Sequence, residues 1–124
     1  MEGYSVKIKE SSVELSAKQR IAMKDTTDAV KLDEACELNA VVINPGMWAV
    51  LSVHNEKSHN KDYEVFVIVD ADGTKYVTGS SSFWNAFKDI EEEMAGEAEA
   101  WSINVYKMDS KNFKGKKFIT CSIV

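Results

Sequence analysis

Five lysines lie close together near the end of the chain, and two aromatic residues lie among them. A lysine ammonium can contact a phosphate, and a flat ring can stack on a nucleic-acid base. Together they are typical of proteins that bind single strands without reading their sequence. The predicted phosphate contacts are Lys107, Lys111, Lys114, Lys116 and Lys117, and the predicted stacking residues are Tyr106 and Phe113.

Four residues outside this segment are further candidates for the same surface. Lys7 and Lys9 add positive charge if the first strand lies alongside the lysine-rich segment. Trp48 and Tyr63 are added as stacking residues, although each ring suits a protein core equally well. The residues alone leave a second interpretation open, in which the lysines only keep an exposed turn in solvent.

The charge of the chain is unevenly distributed. The net charge is −5, which is unusual for a nucleic-acid-binding protein. Residues 89–99 contain six acidic residues and no basic one, whereas residues 101–124 contain five lysines against one acidic residue, Asp109. Such segregation lets one surface attract an anion on an acidic molecule. Arg20 is the single arginine, which argues against base-specific recognition, because arginine is the usual reader of base edges.

Residues for catalysis or metal binding do not form a known pattern. The two histidines, His54 and His59, share one polar loop, and no nucleophile motif accompanies them. The two cysteines, Cys36 and Cys121, match no metal-binding spacing and suit reduced thiols in a cytosolic protein. We therefore expect no enzymatic activity, no cofactor and no metal.

The hydropathy of the chain argues against a membrane protein. No apolar run approaches the roughly 20 residues that span a bilayer. The first residues have neither the basic nor the apolar region of a secretory signal. The sequence predicts no membrane partner and a cytoplasmic location.

Alternating apolar residues predict strands in the first half. Residues 4–8 form one strand, and residues 18–25, where Ile21 and Met23 alternate with polar or small residues, a short second one. Residues 29–37 fit either a strand or a helical turn, and the Asn-Pro-Gly sequence at 44–46 predicts a sharp turn.

The second half has clearer signals. Residues 65–69 are apolar without interruption, which predicts a strand covered on both faces. Residues 70–73 predict a hairpin turn in which Gly73 has a positive φ. A serine cap, an apolar stripe that includes Phe83 and Phe87, and Gly96 predict a helix around residues 82–95. Residues 101–106 and 118–124 predict two closing strands.

These elements predict one mainly β domain over residues 1–124. About seven short strands with one inserted helix favour a small antiparallel barrel or a strongly bent sheet, similar to an oligonucleotide-binding (OB) fold.

Two stretches of the chain also resemble a known family. The run at residues 72–83 followed by 87–90, and the tail at residues 109–121, resemble segments of small phage-encoded proteins described as single-stranded-DNA-binding. The resemblance covers roughly residues 47–123. The chain departs from that pattern at residues 44–46 and 96–100.

The resemblance implies a phage or prophage accessory of DNA replication or recombination, acting in the host cytoplasm. Its ligand would be single-stranded DNA, with RNA left open because stacking and phosphate contacts serve both polymers. The alternative is a phage protein that inhibits another protein, using the acidic surface at residues 89–99 to imitate DNA and bind a basic partner.

Overall fold

A computed structural model describes residues 3–37, 39–97, 100–109 and 117–124. Within these ranges the protein is mainly β, with eight strands and three helices. In chain order they are β1 (Tyr4–Ser11), α1 (Ala17–Lys24), β2 (Val30–Lys31), α2 (Leu32–Ala35), β3 (Val41–Ile43), β4 (Pro45–Asn55), β5 (Asp62–Asp70), β6 (Lys75–Thr78), α3 (Ser81–Met94), β7 (Ile103–Asp109) and β8 (Lys117–Ile123).

The described strands form two antiparallel sheets. One has the order β1-β4-β5-β6-β2, and the other has the order β3-β7-β8. Neither order closes on itself, so the described part of the chain contains no barrel of the kind that the sequence suggested. The mainly β prediction is confirmed.

The chain forms two compact units, which are described separately. Unit 1 comprises Met1–Val30 and Gly46–Gly79, and unit 2 comprises Lys31–Pro45 and Ser80–Val124. The expectation of a single domain stays a prediction.

Unit 1 has an apolar core on one face of the five-stranded sheet. The core is made by Leu15, Met23, Ala49, Leu51, Val53, Val67 and Val77. Residues 66–68 are all buried in succession, which agrees with the prediction of a strand covered on both faces. The hairpin turn between β5 and β6 is also confirmed, because Gly73 has φ +94° and its N–H donates to the carbonyl of Asp70 at 2.8 Å.

The strand predicted over residues 18–25 is wrong, because this segment is the helix α1. Ser16 and Gln19 form a capping box: the Gln19 N–H donates to the Ser16 hydroxyl at 3.2 Å, and the Ser16 N–H donates to the Gln19 amide at 2.8 Å. Ile21 is 67% exposed while Met23 is buried, so the apparent alternation does not describe one buried strand face. The capping hydrogen bonds therefore favour a helix over a strand in this segment.

The predicted turn at residues 44–46 also differs from the structure, since β4 begins at Pro45. A Cβ atom at Gly46 would lie 3.1 Å from the carbonyl oxygen of Val69. The glycine therefore permits a close approach of two backbone segments within unit 1 rather than a chain reversal.

Unit 2 packs α3 against β8. The Ser80 hydroxyl accepts from the Phe83 N–H at 3.2 Å and caps the helix, and Gly96 follows its end with φ +88°. Phe83 and Phe87 are fully buried, and the Phe87 ring lies 5.1 Å from Trp84 and 6.3 Å from Trp101 between centroids. The predicted helix and the two closing strands are confirmed, and α1 and α2 are additional helices.

Candidate nucleic-acid interface

The three-stranded sheet of unit 2 has two faces of different character. In the antiparallel register, Tyr106 lies opposite Thr120, Met108 opposite Phe118, and Asn104 opposite both Val42 and Ser122. Directly opposite residues project from the same face, and neighbours along a strand project from opposite faces. One face, called the outer face from here on, therefore carries Val42, Asn104, Tyr106, Met108, Phe118, Thr120 and Ser122.

The other face of this sheet is part of the unit 2 core. Ile43, Ile103, Val105, Ile119 and Cys121 alternate with the outer-face residues and are all buried. The outer face is open by comparison, because Val42 is 56% exposed and Met108 is 43% exposed. Apolar side chains on an open sheet face are not explained by core packing, and they are a common feature of binding surfaces.

Two aromatic rings lie on the outer face. Tyr106 and Phe118 are both half-buried. Phe118 is two residues from Thr120, the residue opposite Tyr106, so Tyr106 and Phe118 occupy diagonal positions, whose backbones lie about 7–8 Å apart in a typical antiparallel pair. The Tyr106 hydroxyl lies 2.6 Å from the Ser122 hydroxyl, which holds this ring in one orientation across β8. Both rings are thus carried by a sheet, and the Tyr106 ring is held by its hydroxyl, which suits a surface on which bases stack.

The described lysines of this region do not share that face. Lys107 follows Tyr106 in β7 and therefore projects from the opposite face, where its Nζ lies 3.6 Å from Glu37 Oε1. Lys117 lies opposite Asp109 at the end of the strand pair. Strand alternation therefore places Tyr106 and Lys107 on opposite faces of the sheet, and Glu37 partly neutralises the lysine. A phosphate contact by Lys107 stays a prediction.

Four of the predicted contacts, Lys111, Phe113, Lys114 and Lys116, lie outside the described residues. They belong to the segment that joins the end of β7 to the start of β8, and they stay predictions.

The remaining predicted residues belong to unit 1. Lys7 is exposed on β1, and Lys9 Nζ forms an ion pair with Glu64 Oε2 at 2.9 Å. Trp48 is only 5% exposed, and Tyr63 is half-buried and packs against the unit 1 core. A buried indole cannot stack on a base without a rearrangement of the sheet, so Trp48 is removed from the candidate surface, and Tyr63 has mainly a packing role.

The acidic region lies on and after α3. The side chains of Asp89, Glu92, Glu93 and Glu97 are exposed, whereas Glu91 is half-buried and its Oε2 lies 3.4 Å from Lys88 Nζ. Glu99 lies outside the described residues. This surface would repel a phosphate backbone, so any nucleic acid has to approach unit 2 from another side.

The thiols of unit 2 are poorly suited to nucleophilic chemistry. Burial raises the pKa of Cys121 to about 12, and burial followed by the charge of Asp33 raises the pKa of Cys36. The thiolate is the reactive form, so the raised pKa values favour the less reactive thiol form of both groups at neutral pH. Among the described residues, no group of three histidine, cysteine or acidic side chains is arranged to hold a metal ion.

Of the outer-face residues, sequence reasoning identified only Tyr106, and it missed the three apolar ones, Val42, Met108 and Phe118. The signal for Phe118 is present in the sequence, since Phe118, Thr120 and Ser122 alternate with Ile119 and Cys121. Which of the two sets faces solvent depends on the side against which α3 packs, and the sequence of β8 does not contain that information.

The comparisons with known proteins assign neither a family nor a function to the chain. No protein-family model matches the chain, and no curated protein and no solved structure matches it significantly. Within the described residues, no helix is long and apolar enough to cross a lipid bilayer.

Proposed function

We propose that the protein binds single-stranded DNA without strong sequence preference and without catalysis, through the outer face of the β3-β7-β8 sheet. The observation that carries the proposal is the presence of two aromatic residues, Tyr106 and Phe118, at diagonal positions on the partly exposed face of the sheet. Bases stack on such rings regardless of their identity, because every base has a flat π-face.

The lysine-rich segment is the proposed source of phosphate contacts. Residues 110–116 join Asp109 to Lys117, next to the positions of Met108 and Phe118. Lys111, Lys114 and Lys116 would contact the backbone of a strand whose bases lie on the outer face, and Phe113 would add a third ring. Lys117 does not project from that face, and it would reach the backbone from the exposed end of the β7–β8 pair. Lysine suits this role because its ammonium is a mobile point charge that needs no fixed geometry.

The biological context of this proposal comes from the resemblance. On that basis we propose a phage or prophage accessory of DNA replication or recombination that acts in the host cytoplasm. The OB-like arrangement is part of the same proposal, in the form of a bent open sheet that presents stacking residues.

A direct titration tests the proposal. Fluorescence anisotropy is measured at low salt with single-stranded DNA, duplex DNA and single-stranded RNA of equal length. We expect the single strands to bind more tightly than the duplex, because stacking on Tyr106 and Phe118 needs unpaired bases. Log affinity should fall linearly with log salt, with a slope of about −0.7 for each phosphate contact.

Failure of that titration would favour the rival function. If no single strand binds at tens of micromolar protein, the proposal is overturned. The exposed carboxylates of Asp89, Glu92 and Glu93 then support the alternative, in which α3 imitates DNA and binds a basic protein site.

A further inference from the structure

His54 lies between two carboxylates at the end of the β4–β5 hairpin in unit 1. Its Nδ1 is 2.7 Å from Oδ1 of Asp62, and its Nε2 is 2.6 Å from Oε1 of Glu56. Glu56 has a second partner, because Lys61 Nζ lies 3.3 Å from its Oε2. Both ring nitrogens of one histidine are therefore engaged by acceptors.

This geometry specifies the protonation state of the ring. An ionised carboxylate only accepts hydrogen bonds, and a neutral imidazole has a single N–H to donate. Two such contacts at these distances therefore require the imidazolium, which donates from both nitrogens. Neutral His54 would leave either Asp62 or Glu56 without its hydrogen bond.

The backbone connects this cluster to the first strand. The Glu56 N–H donates to the carbonyl of Gly3 at 2.7 Å, just before β1, and the Asn55 N–H donates to the carbonyl of Lys61 at 2.7 Å across the hairpin. Asn55 is also the register partner of Tyr4. Glu56 therefore connects the two parts: its backbone N–H binds the residue before β1, and its side chain contacts His54.

The remaining charged groups near His54 come from both neighbouring strands. On β1, Ser5 lies opposite His54 and Lys7 lies opposite Ser52, so Lys7 is diagonal to the ring. On the β5 side, besides Asp62 and Lys61, Glu64 is paired with Lys9 at 2.9 Å. The two carboxylates in direct contact with the ring favour its positive charge more strongly than the more distant Lys7 opposes it.

We propose that His54 is a proton-operated latch: as an imidazolium it bridges Asp62 and Glu56 and holds the β4–β5 hairpin against the start of β1, and its deprotonation releases that end of unit 1. The hydrogen bonds to Asp62 and then to Glu56 raise the pKa of His54 above its ordinary 6.5. The hydrogen bond from His54, followed by that from Lys61, lowers the pKa of Glu56.

The pH range over which the latch is closed follows from the raised pKa of His54 and the lowered pKa of Glu56. A raised histidine pKa stabilises the folded state fully below 6.5, and the stabilisation is lost as pH rises through the folded-state pKa. A lowered glutamate pKa stabilises the folded state above 4.5, and that stabilisation is lost as pH falls through the lowered value. The latch is closed at pH values between the lowered pKa of Glu56 and the raised pKa of His54, and it opens as pH rises above the pKa of His54.

The first experiment measures the protonation of the ring directly. Imidazole 15N NMR is recorded as a function of pH for the wild-type protein, for E56Q/D62N and for H59Q. We expect a His54 midpoint above 6.5, N–H signals on both nitrogens below it, and a downward shift of the midpoint in E56Q/D62N. H59Q is the matched control, because His59 is exposed in the same loop, and it should leave the His54 midpoint unchanged.

The second experiment measures opening of the hairpin. Amide hydrogen exchange is followed at Asn55 and Glu56 and is normalised to Ala95, whose N–H donates to the Glu91 carbonyl at 2.9 Å in unit 2. Protection of Asn55 and Glu56 should be lost as pH rises through the His54 midpoint, and E56Q/D62N should abolish this dependence. A wild-type midpoint at or below 6.5, or protection that is independent of His54 protonation, would overturn the proposal.

Discussion

Strand β5 in unit 1 and strand β7 in unit 2 contain similar apolar residues but bury them differently. In β5, Phe66, Val67 and Ile68 are buried one after another, so both faces of the strand are covered. In β7, Ile103 and Val105 are fully buried while the intervening Asn104 is half-exposed. The first pattern is that of a strand inside a core, and the second is that of a sheet with one wet face.

This difference shows where the function should be sought. A buried ring such as Phe87 is explained by the stability that it gives the core, roughly 1.5–3 kcal/mol for the burial of such a side chain. The half-buried rings of the outer face contribute less to stability, so their presence there calls for another explanation. Substitutions on the two faces should therefore separate stability from binding.

The largest expected effect is on the core side of unit 2. Phe87→Ala removes a fully buried ring that lies 6.1 Å from Phe83 and 5.1 Å from Trp84 between centroids. We expect a loss of about 3–5 kcal/mol in the free energy of unfolding, measured by urea titration. The control is Asn85→Ala on the exposed side of α3, which should change stability by less than about 0.5 kcal/mol. Equal losses of unfolding free energy in the two variants would contradict the assignment of Phe87 to the buried face of α3 and of Asn85 to its exposed face.

The next effect is on the outer face. Tyr106→Leu and Phe118→Leu keep an apolar side chain but remove the flat ring. Each should weaken binding of a single-stranded oligonucleotide by about 1–3 kcal/mol, measured by fluorescence anisotropy, while the urea midpoint changes much less.

A buried aromatic residue supplies the control for this prediction. Trp48→Phe alters a ring that is 5% exposed in unit 1, and it should leave the oligonucleotide affinity unchanged. Loss of binding in this variant but not in Tyr106→Leu or Phe118→Leu would remove the outer face from the proposed interface.

The smallest effect concerns the lysines of the sequence segment between β7 and β8, together with Lys117 at the start of β8. Neutralising Lys114, Lys116 and Lys117 to glutamine should reduce the slope of log affinity against log salt by about two units, since each phosphate contact contributes about 0.7. The measurement is a series of anisotropy titrations at increasing salt.

A second triple variant separates a local contact from a change in net charge. Neutralising Lys18, Lys24 and Lys57, which are all exposed in unit 1, removes the same number of charges. Its slope should remain close to that of the wild type. If both triple variants lower the slope equally, the lysines act through the overall charge of the protein and not through phosphate contacts at this segment.

Several elements were predictable because their signals are local. The helix α3 follows from a serine cap, an apolar stripe and Gly96, and the β5–β6 turn follows from Gly73. At residues 18–25 the two alternating apolar residues predict a strand, but the Ser-x-x-Gln capping box at Ser16 and Gln19 starts a helix. A cap satisfies backbone groups directly, whereas an alternation of two residues specifies little.

The site was only partly predictable. Residue type indicates Tyr106 as a stacking candidate, but residue type and proximity in the sequence also place Lys107 on the same surface, although the two alternate along β7. For Phe118 the sequence pattern predicts only a strand residue. Trp48 could not be classified from its type, since an indole suits either a core or a binding surface, and its burial is a property of the folded sheet.

The amino-acid sequence by itself determined the mainly β class, the position of α3, the hairpin at Gly73 and the separation of acidic from basic segments, because each depends on residues that are neighbours in the chain. Only the tertiary structure decided which side of β7 and β8 is buried, that α3 packs against β8, that Lys107 is paired with Glu37, and that His54 lies between Asp62 and Glu56. These are contacts that chain folding brings about, and the free energy of burial and pairing selects them among many alternatives that the local sequence permits equally.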